Sequence, residues 1–172
     1  MSNAALTLKQ LCFTGPSKEE ARLDFHAGLN IIYGASDAGK SFILEAIDFM
    51  LGSGSALRDI PERVGYDRIW LTIARPDRTE FTLTRSTEGG DLNLYEGSHR
   101  AIPEGVTALT LRSKHDANKD DNISTYLLSL IDLSKKRIKK KADGTTISFT
   151  LPFLRHLCIV SETDIQKQGS PI

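Results

Sequence analysis

Gly34-Ala35-Ser36-Asp37-Ala38-Gly39-Lys40-Ser41 sets two glycines five positions apart and follows the second with a lysine and a hydroxyl. That is the spacing Gly-x-x-x-x-Gly-Lys-Ser/Thr, and each residue type has a chemical reason. Glycines let backbone N–H groups close around phosphate oxygens, and a helix starting near Gly39 aims its positive end at them. Lys40 would reach the β- and γ-phosphates of a nucleoside triphosphate, and Ser41 would place its hydroxyl on the Mg²⁺ that the phosphates share. The candidate cofactor-binding residues are Gly34, Ala35, Ser36, Asp37, Ala38, Gly39, Lys40, Ser41 and Phe42, with Lys40 the candidate catalytic cation and Ser41 a metal ligand. A carboxylate facing a triphosphate is repelled, so the Asp37 side chain is expected to point outward; Asp also tolerates left-handed backbone.

Such a loop needs a strand before it and a helix after it. Leu29-Asn30-Ile31-Ile32-Tyr33 is a short, β-branched apolar run of the length expected for a buried strand. From Gly39 to Leu51 the residues Phe42, Ile43, Ala46, Ile47, Met50 and Leu51 recur at helical spacing, and Gly52 stands where a left-handed stop is favoured. Upstream, Leu6, Leu8, Leu11, Cys12 and Phe13 suggest a first strand, and residues 21–25 alternate like a second, joined by a turn over 14–18. Downstream, residues 68–75, 79–85 and 92–95 read as three consecutive strands separated by tight turns, hence an antiparallel meander. Tyr126, Leu127, Leu130, Ile131 and Leu133 behind Asp121 and Asn122 predict a capped helix, after a polar, exposed stretch over 114–121. Asp143-Gly144 closes a hairpin with arms 137–141 and 146–150, and Thr150 with Pro152 starts a helix carrying Phe153, Leu154, Leu157 and Cys158.

The 172 residues include 22 basic and 22 acidic side chains, so the chain as a whole has no attraction for polyanions or anionic membranes, and any such contact must be local. No apolar run is long enough to span a bilayer and no secretory leader is visible, so a cytoplasmic location without membrane contact is expected. Cys12 and Cys158, both among apolar neighbours, are expected to be buried thiols. The four histidines are scattered without a ligand partner at zinc spacing, and His156 and Cys158, two apart on a helix, face different ways. One run stands out: Lys135, Lys136, Arg137, Lys139, Lys140 and Lys141 put six cations in seven residues. The run could neutralise phosphates of a DNA backbone, and it equally suits an edge strand protected by lysines. It has no interleaved aromatic residue on which single-stranded bases could stack.

Residues 28–34, the phosphate loop, and Phe42-Ile43-Leu44-Glu45-Ala46-Ile47-Asp48-Phe49-Met50-Leu51-Gly52 resemble the ATPase head of the SMC, RecF and RecN group of ABC-type ATPases. Within that group the resemblance is to the SMC-like or AAA-type ATPases of DNA repair and phage defence. The specific match covers roughly residues 5 to 52. The resemblance implies a fold class of α/β type: a P-loop lobe with a core strand, loop and helix, a smaller antiparallel β-subdomain and additional helices. It implies ATP and Mg²⁺ as cofactors, and a second head, in a homodimer, that sandwiches the nucleotide. It also implies a glutamine that senses the γ-phosphate and Mg²⁺; Gln166 is the candidate for this catalytic and metal-binding role, with Gln168 second. Lys18 stands where relatives often carry a basic residue near the nucleotide.

Two elements of such a head are missing. There is no run of four apolar residues ending in Asp-Glu, and no serine followed by two glycines. Leu127-Leu128-Ser129-Leu130-Ile131-Asp132 is the rival for the first, but its pattern is helical. The family places both elements in a C-terminal half, so the expectation is a single N-terminal lobe over residues 1–172, a fragment that needs the C-terminal half of the same protein. Alone it should bind nucleotide and hydrolyse it poorly. The alternative is a self-contained small P-loop nucleotide-binding protein or kinase. A kinase usually alternates helices with parallel strands after its loop, and a GTPase needs an Asn-Lys-x-Asp that this chain lacks.

Overall fold

A computed structural model describes residues 5–35, 39–116, 119–140 and 142–160. Its body is one antiparallel sheet. β1 (Thr7–Gly15), β2 (Lys18–Asp24), β3 (Arg68–Ala74), β4 (Glu80–Ser86), β5 (Gly89–Glu96) and β6 (Leu109–Leu111) lie in the order β2-β1-β3-β4-β5-β6. The expected first and second strands and the meander are therefore neighbours in a single sheet, with β1 pairing β3 from Thr7↔Ala74 to Thr14↔Arg68.

Alternation along each strand sorts the side chains onto two faces. Ile69, Leu71 and Ile73 of β3, Phe81 and Leu83 of β4, and Leu92 and Leu94 of β5 enter the main core. Thr72, Thr82 and Thr84 fall on the opposite face, where Cys12, Trp70 and Tyr95 form a second, smaller cluster. On β1, Leu8 and Leu11 would face opposite sides of a regular strand. A register shift between Leu8 and Gln10 inserts one residue and lets both reach the main core.

The main core is covered by α1 (Lys40–Met50), α2 (Ile123–Ser129) and α3 (Leu151–Cys158). Asn122 caps α2 by accepting the Thr125 N–H at 2.9 Å. Thr150 holds the cap position of α3 without a side-chain cap bond. The buried N–H there is met by a different hydroxyl, Ser124 Oγ of α2, which accepts from Leu151 at 2.8 Å and ties the two helices together. A separate hairpin, β7 (Arg137–Lys139) with β8 (Thr146–Ser148), turns at Gly144 with φ 90°.

Two expectations are corrected. Residues 29–33 do not form a strand, and Leu29, Ile31 and Tyr33 are 86%, 72% and 90% exposed. An apolar strand of that kind is stable only between neighbouring strands, and residues 29–33 pair with none of the six. Asn30 instead holds a local turn, donating to the carbonyls of His26 and Gly28 and accepting the His26 N–H. Cys158 is exposed rather than buried, since α3 turns only one stripe inward. No helix among the described residues is long and apolar enough to cross a membrane.

Candidate phosphate-binding site

Gly39 adopts φ 75°, ψ 9°, a left-handed conformation that glycine accepts without strain, and α1 starts at the next residue. Ile43 N–H already bonds to the Gly39 carbonyl at 3.2 Å, which leaves the N–H groups of Lys40, Ser41 and Phe42 as the free donors of the first turn. Among the described residues no side chain caps this end, and no acidic residue lies in the first turn. Apart from its chain neighbours, no described residue has an atom within 4 Å of where a Cβ on Gly39 would stand. First-turn donors and a helix dipole suit an anion.

Lys40 folds back over the entrance of the loop. Its ammonium donates to the Gly34 carbonyl at 2.9 Å and also to the Ala35 carbonyl. The cation is thus held beside the helix N-terminus by backbone oxygens, with no carboxylate partner among the described residues. Ser41 is exposed, and its hydroxyl has no partner among the described residues. Phe42 differs from its neighbours: its side chain is in the core, 9% exposed and stacked on Phe13 at 5.7 Å, so it can offer a ligand only its N–H. Among the described residues no group of histidine, cysteine and carboxylate side chains could hold a metal ion. Ser41 is the candidate Mg²⁺ ligand that lies within them. Ser36, Asp37, Ala38, Gln166 and Gln168 lie outside the described residues.

α1 is fixed at both ends. Phe42 anchors its start through Phe13, which in turn meets Tyr66 edge-on at 6.1 Å. Lys18 of β2 lies over the Tyr66 ring at 5.7 Å, and this cation–π contact is its described environment. At the other end Gly52 takes φ 87°, with Ser53 N–H bonded to the Asp48 carbonyl and Gly52 N–H to that of Phe49. This double bond pattern terminates the helix, and a Cβ on Gly52 would stand 2.5 Å from Ile123 Cγ2.

Arg85 was not legible as a site residue from spacing alone. It occupies the inward register of β4, after Phe81 and Leu83, and is 5% exposed. Its guanidinium lies 3.9 Å from the Phe49 ring and donates to the carbonyls of Phe49 at 2.8 Å, Ser53 at 3.4 Å and Gly90 at 2.8 Å. A cation at the negative end of α1 is favourable. Burial nevertheless pushes the guanidinium below its ordinary pKa, with the field of Asp91 opposing. The signal available in the sequence was an arginine continuing the Phe81, Leu83 alternation. On the outer side of α1, Arg155 of α3 makes a two-point ion pair with Asp48, and Arg58 pairs with Glu45.

The family model for the AAA domain matches residues 11–168. The chain belongs to the AAA domain family. Membership places it among P-loop ATPases, and an AAA domain of this kind implies nucleotide binding, usually with Mg²⁺. No curated protein matches the chain. In this AAA domain the matched span contains the phosphate loop, the whole sheet from Leu11 onward, and the three helices.

Proposed function

We propose that residues 34–41 bind ATP with Mg²⁺ and that the domain is the nucleotide-binding lobe of an SMC-like ATPase, serving DNA repair, maintenance or phage defence in the cytoplasm. The observation that carries the reading is the start of α1, with Gly39 in a left-handed turn, no side-chain cap among the described residues, and the Lys40 ammonium on the Gly34 and Ala35 carbonyls. When bound, Mg²⁺ neutralises phosphate charge and fixes phosphate geometry. Lys40 exchanges its two carbonyl partners for phosphate oxygens, the first-turn N–H groups complete the cradle, and Ser41 offers its hydroxyl to the metal.

The rest of the reading concerns what joins this lobe. Leu29, Ile31 and Tyr33 lie exposed immediately before the loop, and the strand they suit needs neighbours, which we assign to the C-terminal half of the parent protein. That half would also bring the apolar strand ending in Asp-Glu and the Ser-Gly-Gly loop. A second head closes over the nucleotide, with Gln166 at the γ-phosphate. The antiparallel sheet favours this over a self-contained kinase, which alternates helices with parallel strands.

Titration calorimetry with Mg·ATP tests the loop. Lys40→Ala is expected to weaken binding at least about tenfold, as loss of one charge-assisted contact does. Its melting temperature should stay close to that of the unaltered chain, because the two carbonyls that the ammonium meets are exposed to water. Equal affinity in the two proteins removes the phosphate loop from the account.

A further inference from the structure

Seven arginines of this chain spend their charge on carboxylates: Arg22, Arg58, Arg63, Arg75, Arg100, Arg112 and Arg155 each pair with an Asp or Glu. The β7–β8 hairpin is built differently. Lys135, Lys136, Arg137, Lys139 and Lys140 are all exposed, and none has a carboxylate partner among the described residues. The one acidic residue between 135 and 150 is Asp143 in the turn, and its carboxylate accepts the Thr145 N–H at 2.8 Å. The register Arg137↔Ser148, Ile138↔Ile147, Lys139↔Thr146 sets Arg137, Lys139, Thr146 and Ser148 on one face, and the half-buried Ile138 and Ile147 on the other. Arg137 Nε donates to Thr146 Oγ1 at 2.8 Å and Nη2 to the Thr146 carbonyl at 3.1 Å, which steadies the guanidinium without neutralising it.

With six of the 22 basic residues in this one run, the rest of the chain holds 16 basic against 22 acidic residues. The hairpin is therefore a concentrated positive site on an otherwise acidic protein. We propose that the exposed cations of this hairpin, Arg137 and Lys139 on its outer face with Lys135, Lys136 and Lys140 at its ends, form a sequence-independent binding surface for the phosphate backbone of double-stranded DNA. Lys135 lies in a turn with φ 61°, and the paired stretch 136–140 extends over about 14 Å at ~3.4 Å per residue. A duplex presents one negative charge per ~1.7 Å of axis, so about eight phosphates lie within that reach. Hydroxyls of Thr146 and Ser148 beside the cations add neutral donors suited to phosphate oxygens. The face carries no aromatic platform for unstacked bases, which favours duplex over single strand. No large exposed hydrophobic residue lies between 135 and 150 to insert into a lipid surface. The inference uses none of the phosphate-loop residues and stands or falls separately from ATP binding.

The test is fluorescence anisotropy of the 172-residue chain with a labelled duplex of arbitrary sequence, from about 50 to 200 mM salt. Binding is expected with a log–log salt slope near −4, for roughly five phosphate contacts. The triple variant Lys136→Gln, Lys139→Gln, Lys140→Gln leaves the Arg137–Thr146 bonds in place. It should bind at least about tenfold more weakly, with a slope shallower by about three. Lys→Arg at the same three positions should keep both quantities. Lys9→Gln, Lys114→Gln, Lys119→Gln makes the same change in net charge elsewhere and should also keep them. No binding by the unaltered chain overturns the proposal, as does an unchanged slope in the triple Gln variant or an equal loss in the control. Tighter binding to anionic phosphatidylserine vesicles than to the duplex also overturns it, and assigns the face to lipid.

Discussion

Cys12 sits on β1 packed with Trp70 and Tyr95 on the minor face of the sheet, while Cys158 is exposed on α3. Burial, with Glu20 adding to it, pushes the Cys12 thiol from 9.0 to about 11. The fold therefore favours the neutral thiol. Between pH 9 and about 11 the unfolded chain has already lost this proton and the folded chain has kept it, so stability falls as pH climbs through that window. Cys12→Ala should flatten this part of the alkaline stability profile, read as urea midpoints. At pH near 8, a thiol reagent such as Ellman's should titrate one cysteine rapidly in the native chain and both in denaturant. Two fast thiols in the native state would contradict the packing on β1. The two cysteines look alike in sequence, because each has apolar neighbours on both sides. What separates them is tertiary: β1 is a paired strand covered on both faces, whereas an end-of-helix residue is covered only if its stripe turns inward. Lys18 was likewise legible only as a cation near a turn; its partner, Tyr66, is remote in the chain and brought beside it by β1–β3 pairing.

α1 shows what local pattern does specify. Its start after Gly39 and stop at Gly52 follow from the residues themselves, and so do the three meander strands and the Asp143-Gly144 turn. β6 was not legible, because three residues are too few to display a period of two. Nor was the bond between α2 and α3, since Ser124 and Leu151 meet only after both helices dock on the sheet. The link from sheet to loop helix runs through Arg85. Its hydrogen bonds to the Phe49, Ser53 and Gly90 carbonyls hold the end of α1 opposite the phosphate loop to β4 and β5. Arg85→Met keeps much of the volume over Phe49 but takes the donor from the Ser53 and Gly90 carbonyls, while the Phe49 carbonyl keeps the Gly52 N–H. Leaving buried acceptors unpaired costs about 1–3 kcal/mol each where water cannot reach them, so a loss of roughly 2–4 kcal/mol is expected. Arg85→Lys restores the charge without the fork and should recover only part of it. Urea unfolding with an unchanged m-value is the measurement; a shift below about 0.5 kcal/mol would mean the guanidinium does not hold the helix.

At the scale of the whole molecule, one antiparallel sheet with helices on its main face is self-sufficient without residues 29–33. The strand expected there was a sound local reading, as Leu29, Ile31, Ile32 and Tyr33 have the composition of a buried strand. It failed because a strand is a relation between segments, and residues 29–33 pair with no strand of the ladder β2-β1-β3-β4-β5-β6. An energetic asymmetry follows. Leu29→Ser, Ile31→Ser and Tyr33→Ser remove side chains that are already in water, so in the isolated chain each should change unfolding free energy by less than about 0.5 kcal/mol. Leu71→Ala in the fully buried core of β3 should cost about 2–5 kcal/mol. In the parent protein the proposed lobe-to-lobe pairing would bury those same side chains, at about 1.5–3 kcal/mol for each of Leu29 and Ile31. Hydrogen exchange then distinguishes the two settings. The amides of residues 29–33 should exchange at unprotected rates in the isolated chain and become protected in the parent protein, with the protection lost in Ile31→Ser. Persistent fast exchange in the parent protein would mean that no strand is added beside the phosphate loop, and that Gly34 and Lys40 must be positioned from the α1 side alone.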